Sequence, residues 1–155
     1  MHTSPLLTVN IQRDDFDMSA ELHALTDGRT DIGAVVSFTG LCRDENGRLS
    51  ALELEHYPAM AETALRRIAE RAIARWPVLG MTIIHRFGLI RPGENIVMVA
   101  VCAAHRQAAF DAASFIMDFL KTDAPFWKRE HPADGSQGTW VEAKKTDNER
   151  RNRWE

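Results

Sequence analysis

The sequence predicts an α+β fold with a mostly antiparallel sheet and two long helices, on three observations. Short segments rich in β-branched residues are closed by glycine, proline or asparagine. Two longer stretches repeat apolar residues at three- and four-residue steps, the helical period. These stretches are separated by pairs of strands rather than by single ones, the pattern of an α+β domain.

In chain order, "LLTVNI" (Leu6–Ile11) reads as a strand and "DMSAELHAL" as a short helix capped by Asp17. "GAVVSFTG" (Gly33–Gly40) reads as a buried strand, and the Asn46-Gly47 pair after it as a hairpin turn. "SALELEHY" alternates, with Leu52, Leu54 and His56 on one face. A helix follows Pro58 with Met60, Ala64, Leu65, Ile68, Ala72 and Trp76 on its apolar stripe, and Pro77 stops it. "MTIIHRFG" and "NIVMVAVCAA" are strands joined through Pro92-Gly93, a type II turn signal. "HRQAAFDAASFIMDFLK" then puts Ala109, Ala113, Ile116, Met117 and Leu120 on one helical stripe that Pro125 ends. "GTWVEAK" is a last strand, and residues 145–155 are expected as a flexible charged tail. The 155 residues suit a single domain, 1–155.

Composition narrows the function. The 45% apolar and 26% charged fractions are those of an ordinary globular protein, and no apolar run nears the ~20 residues of a membrane span. The start does not read as a signal peptide, so a cytoplasmic location is expected. Cys42 and Cys102 make neither a disulfide framework nor a four-cysteine metal site. A net charge of −3 gives a nucleic-acid partner no support. The charge is uneven, however: residues 1–60 hold four Lys/Arg against ten Asp/Glu, and residues 61–155 fifteen against twelve. That leaves room for a local anion site.

The candidate site residues are cations at the ends of elements, where a scaffold presents functional groups. Arg43 follows the strand Gly33–Gly40. His105 and Arg106 open the second long helix, whose free N–H groups and positive dipole end already favour an anion. Lys121 closes that helix, and Lys128 and Arg129 follow within "LKTDAPFWKRE". At ~1.5 Å per residue, Arg106 and Lys121 are roughly 22 Å apart. One small anion therefore touches both only if a symmetric dimer brings one helix end near the other end of its mate; otherwise there are two sites. Lys128 is equally readable as a surface charge, and Cys42 beside Arg43 as either a reactive thiolate or an apolar filler. His56 and His85 read as structural histidines. No spacing suits a metal, and no nucleotide or hydrolase motif is present.

Together "GAVVSFTGLCRD", "LELEHYPAMAE", "IIHRFGLIRPGE", "AHRQAAFDAASFIMDFLKTDAPFWKRE" and "WVEAK" resemble the catalytic (large) subunit family of molybdopterin synthase, in order from Gly33 to Lys144. The resemblance implies an α/β hammerhead-type fold and a sulfurtransferase with no cofactor of its own. Its substrate would be cyclic pyranopterin monophosphate (precursor Z), converted to the dithiolene of molybdopterin. The sulfur would arrive as a thiocarboxylate on the C-terminal glycine of a small ubiquitin-like sulfur-carrier subunit. A homodimer of this chain would sit at the centre of a heterotetramer. By the same resemblance Lys121 and Lys128 are catalytic. Leu41, Cys42, Arg43, Arg129 and Glu130 line the substrate site, and the neighbouring subunit supplies His105 and Arg106. Lys144 stands where some members have an arginine, which keeps the charge but loses the bidentate fork. Two other readings stay open: a persulfide sulfurtransferase using Cys42, and a non-catalytic scaffold for a ubiquitin-like protein.

Overall fold

A computed structural model describes residues 4–136, 138, 140–141 and 145–154. The first sheet has the order β1 (Leu6–Gln12), β4 (Val78–Arg86), β6 (Asn95–Ala103), β2 (Ala34–Leu41). β1 runs parallel to β4, and the β4–β6 and β6–β2 pairs are antiparallel. The central strands β4 and β6 are covered on both faces, which is why they read as continuous apolar runs. Met81, Ile83, Val99 and Val101 point to α2 (Pro58–Arg75) and α3 (Arg106–Asp123), where Leu65, Ile68, Phe115, Ile116 and Phe119 complete the main core. Ile84, Met98, Ala100 and Cys102 point the other way and meet Leu25 of α1 (Met18–Thr26). Asp17 caps α1 by accepting from the Ala20 N–H at 3.1 Å.

The second sheet, β5 (Gly88–Ile90), β3 (Leu49–His56), β7 (Phe126–Pro132), β8 (Trp140–Val141), is wholly antiparallel. Leu49, Leu52, Leu54 and Ile90 form its small core with Cys42. The Arg91–Glu94 turn has Gly93 at φ 90° and a bond from the Glu94 N–H to the Arg91 carbonyl, as a type II turn requires. No helix among the described residues is long and apolar enough to cross a membrane.

Several expectations meet a different structure. The apolar strand β2 is an edge, not a buried strand: Val35, Phe38 and Leu41 are 41%, 42% and 51% exposed. Asn46-Gly47 does form a tight turn, with Glu45, Asn46 and Gly47 at φ 52°, 62° and 81°. It joins no hairpin, because β2 and β3 belong to different sheets. Met60 is 60% exposed; the inward stripe of α2 is Ala61, Leu65, Ile68, Ala69 and Ala72, one position later at its start. The segment after Pro125 is strand β7, which pairs with β3 from Leu49 to His56 with an irregularity between Leu49 and Ala51. In place of a flexible tail, residues 145–152 form helix α4, held against α3. Trp154 just beyond it sits between Trp76 and Phe115.

Candidate functional site

β7 alternates, so its residues divide between two faces of the second sheet. Lys128 and Glu130 point to the face where Leu41, Cys42 and Arg43 leave the end of β2. These five residues line one cavity of about 180 Å³, closed below by Leu49, Leu52 and Ile96. The backbone of Cys42 is fixed by two bonds, its N–H to the Glu94 carbonyl (2.8 Å) and the Gly93 N–H to its own carbonyl (2.7 Å). The thiol is only 3% exposed, and burial pushes its pKa up, although Lys128 pulls it the other way. Burial wins, so the thiol stays protonated. That disfavours Cys42 as a sulfur-carrying nucleophile.

Arg129 is not brought into this cavity. It projects from the opposite face, over the Trp140 ring at 4.4 Å, and its buried Nε has no hydrogen-bond partner among the described residues. The same face carries His131, whose Nε2 lies 2.9 Å from Glu53 and holds that carboxyl below its ordinary value.

Lys121 lines a different and larger cavity of about 600 Å³, between the β2 edge, α3 and the C-terminal helix. Val36, Phe38, Phe110 and Met117 give it an apolar floor, and Asp118, Arg150 and Arg153 share its rim. Near Lys121 is the buried His85, whose ring stacks on Phe126 with centroids 3.7 Å apart. His85 Nδ1 lies 2.9 Å from the Arg86 carbonyl and therefore donates to it. Burial first, then the charge of Lys121, holds the imidazole at a pKa of about 4, so it is neutral at pH 7. Phe126 also stacks on His56 at 5.7 Å and leads directly into β7. The ring column thus connects the strand carrying Lys128 to the neighbourhood of Lys121.

His105 caps α3 without a side-chain capping bond, and Arg106 is its first residue, exposed at the far end of the helix from Lys121. The single chain therefore leaves these two apart from the lysines. Lys144 lies outside the described residues. His85, Arg150 and Arg153 were not singled out in sequence as site residues; a histidine inside an apolar strand and arginines in a charged terminus carry no motif. Among the described residues, no group of three His, Cys, Asp or Glu is placed to hold a metal ion.

The family model described as MoaE protein matches residues 11–123. The chain belongs to the MoaE protein family. A relative from Mesorhizobium japonicum, the molybdopterin synthase catalytic subunit, is 67% identical over 147 residues, covering 95% of this chain and 92% of the relative. A solved structure described as the molybdopterin biosynthesis MoaE protein from Burkholderia ambifaria superposes with a TM-score of 0.82 at 48% identity, covering 96% of this chain and 98% of that one. Molybdopterin synthase from Staphylococcus aureus gives 0.76 at 29% identity, with 91% and 99% covered. The family is that of an enzyme, and its place is in molybdenum cofactor biosynthesis.

Proposed function

We propose that this chain works as the catalytic subunit of a molybdopterin synthase in the cytoplasm. It moves sulfur from the C-terminal thiocarboxylate of a small ubiquitin-like subunit onto cyclic pyranopterin monophosphate. A catalytic subunit implies a second kind of subunit, and the thiocarboxylate carrier fills that place in a heterotetramer built on a dimer of this chain. The observation that carries the reading is the cavity where Arg43 and Lys128 meet beside a thiol kept protonated. Arg43 and Lys128 stand there with Glu45 and Glu130, while the chain's own sulfur is held out of the chemistry, as expected when a partner brings the sulfur.

In this mechanism the thiocarboxylate sulfur adds to a carbonyl carbon of the pterin side chain, forming the C–S bond as the C=O electron pair moves onto oxygen. That oxygen takes protons and leaves as water, and a second thiocarboxylated carrier supplies the second sulfur in the same way. Water then cleaves the acyl–sulfur link and releases the carrier as a carboxylate. Each step builds negative charge on oxygen, which Lys128 and Arg43 stabilise electrostatically. Lys121 shuttles the protons. Arg106 and His105 of a second copy hold the phosphate, a charge-assisted contact.

The test mixes the chain with thiocarboxylated small subunit and precursor Z, then measures molybdopterin. Formation that survives Cys42→Ala supports the reading. Loss of all product in Cys42→Ala would transfer the role to a persulfide, and absence of product from the unaltered chain would leave only a scaffold.

A further inference from the structure

We propose that the C-terminal helix completes a binding site for a planar aromatic anion, with Arg150 and Arg153 joining Lys121 around the 600 Å³ cavity. The inference rests on the sulfur-transfer reading and adds substrate-binding residues that neither the motifs nor the family resemblance singles out.

The site is built rather than incidental. α4 is tied to the last turns of α3, on either side of Lys121. Trp154 Nε1 donates to Asp118 Oδ2 at 2.6 Å, and Arg153 Nη2 reaches the same oxygen at 2.9 Å. Arg151 forks onto both oxygens of Asp123, at 2.8 and 3.3 Å. These ties fix where Arg150 and Arg153 stand relative to Lys121. Among the described residues the rim carries Lys121, Arg150 and Arg153 with one carboxylate, Asp118, which already has two donors. Cationic side chains grouped at one opening favour an anionic ligand, and a phosphate offers charge-assisted contacts to arginine.

The floor sets the rest of the ligand. Phe38 and Phe110 are 42% and 55% exposed and lie beside Met117, an apolar surface suited to a ring system. A volume of about 600 Å³ lies within the ~300–1,000 Å³ range of small-molecule sites. A fused heteroaromatic ring carrying one phosphate satisfies both halves: rings on the phenylalanines, and the phosphate between Arg150 and Arg153 on one side and the Arg106 and His105 that a second copy supplies on the other.

The test is calorimetric titration of the full-length chain with neopterin monophosphate, neopterin and inorganic phosphate. Arg150→Ala with Arg153→Ala should weaken neopterin monophosphate at least tenfold and leave neopterin within twofold. Phe110→Ala should weaken both. Arg153 also ties Asp118, so the double variant is checked by its melting curve. If it is unfolded, Arg150→Ala alone decides: Arg150 has no hydrogen bond or ion pair among the described residues, and at least threefold weakening is expected. Absence of saturable binding to the unaltered chain overturns the inference, as does unchanged affinity in the folded variants. The two readings fail separately. An unaltered chain that binds neopterin monophosphate but makes no molybdopterin sinks only the sulfur transfer. An active chain whose KM for precursor Z ignores Arg150→Ala sinks only the arginine site.

Discussion

At the scale of single residues, the neutral state of His85 is a consequence of where β4 puts it. The ring is 6% exposed, stacked on Phe126, and faces the positive charge of Lys121, with His56 nearby. Its one polar compensation, the Arg86 carbonyl, does not offset burial. A histidine whose folded pKa of about 4 lies below its unfolded value of about 6.5 is protonated more readily by the unfolded chain. Its contribution to stability is therefore complete above pH 6.5 and is lost as pH falls towards 4. Over that window the loss is on the order of 3 kcal/mol. Urea midpoints measured from pH 7 to pH 4 should fall more steeply for the unaltered chain than for His85→Asn. Parallel curves would show that the ring is not held neutral by the fold. Lys121 gives the second expectation. Its helix is fixed by the buried stripe through Phe115, Ile116, Phe119 and Leu120, so Lys121→Ala should leave the chain folded. Turnover should nonetheless fall by about 10²-fold or more if the ammonium transfers protons or stabilises charge in the transition state. Lys121→Arg should stay impaired, because arginine keeps its charge but does not release the proton. Near-normal product from Lys121→Ala would remove this lysine from the mechanism.

At the scale of elements, the C-terminal helix is the part whose contribution is measurable alone. Trp154 fills the angle between Trp76 and Phe115, with ring centroids 5.6 Å from each, and donates to Asp118. Trp154→Ala removes that packing and leaves Asp118 with one donor fewer, at a cost of about 2–4 kcal/mol, towards the lower end for a half-buried ring. A thermal melt unchanged by the substitution would mean that α4 does not dock in solution. This helix shows where sequence reading reaches its limit. "TDNERRNRWE" is polar at nine of ten positions, so it has no apolar stripe to reveal a helix; its docking uses one tryptophan and, among the described residues, two long-range ion pairs, Arg151–Asp123 and Arg153–Asp118. β7 was hidden differently. Phe126 to Pro132 mixes aromatic and charged residues on both faces, with Phe126, Lys128 and Glu130 on one and Trp127, Arg129 and His131 on the other. Its alternation is not apolar-polar, and Arg129 ends opposite Lys128. The parts that were legible, such as the stripe of α3, the cap at Asp17 and the Pro92-Gly93 turn, are those fixed by local periodicity or backbone conformation. Which sheet a strand joins, and whether an apolar strand is central or an edge, depends on contacts distant in the chain.

At the scale of the whole molecule, a site that uses both Arg106 and Lys121 does not close within one chain. α3 carries Arg106 at one end and Lys121 at the other, roughly 22 Å apart at ~1.5 Å per residue, and the Lys121 end lines a cavity shared with Arg150 and Arg153. The β2 edge exposes Val35, Phe38 and Leu41, more apolar surface than a free strand edge usually shows to water, and an unpaired ladder besides. A two-fold dimer over this region covers the edge and sets each chain's Arg106 to serve its mate's Lys121. Sedimentation should therefore show a dimer without the small subunit, and Val35→Glu should shift it towards monomer with loss of activity. The decisive measurement mixes two inactive chains. Arg106→Ala and Lys121→Ala are co-expressed so that subunits pair at random. Half of the dimers are then hybrids. In each hybrid, one site joins an intact Lys121 from the first chain to an intact Arg106 from the second, and the other site lacks both. About a quarter of all sites should be whole, and molybdopterin formation should recover to about that fraction of the unaltered level. If each chain instead used its own Arg106, no combination would restore a complete site, and the mixture would be as inactive as its parts.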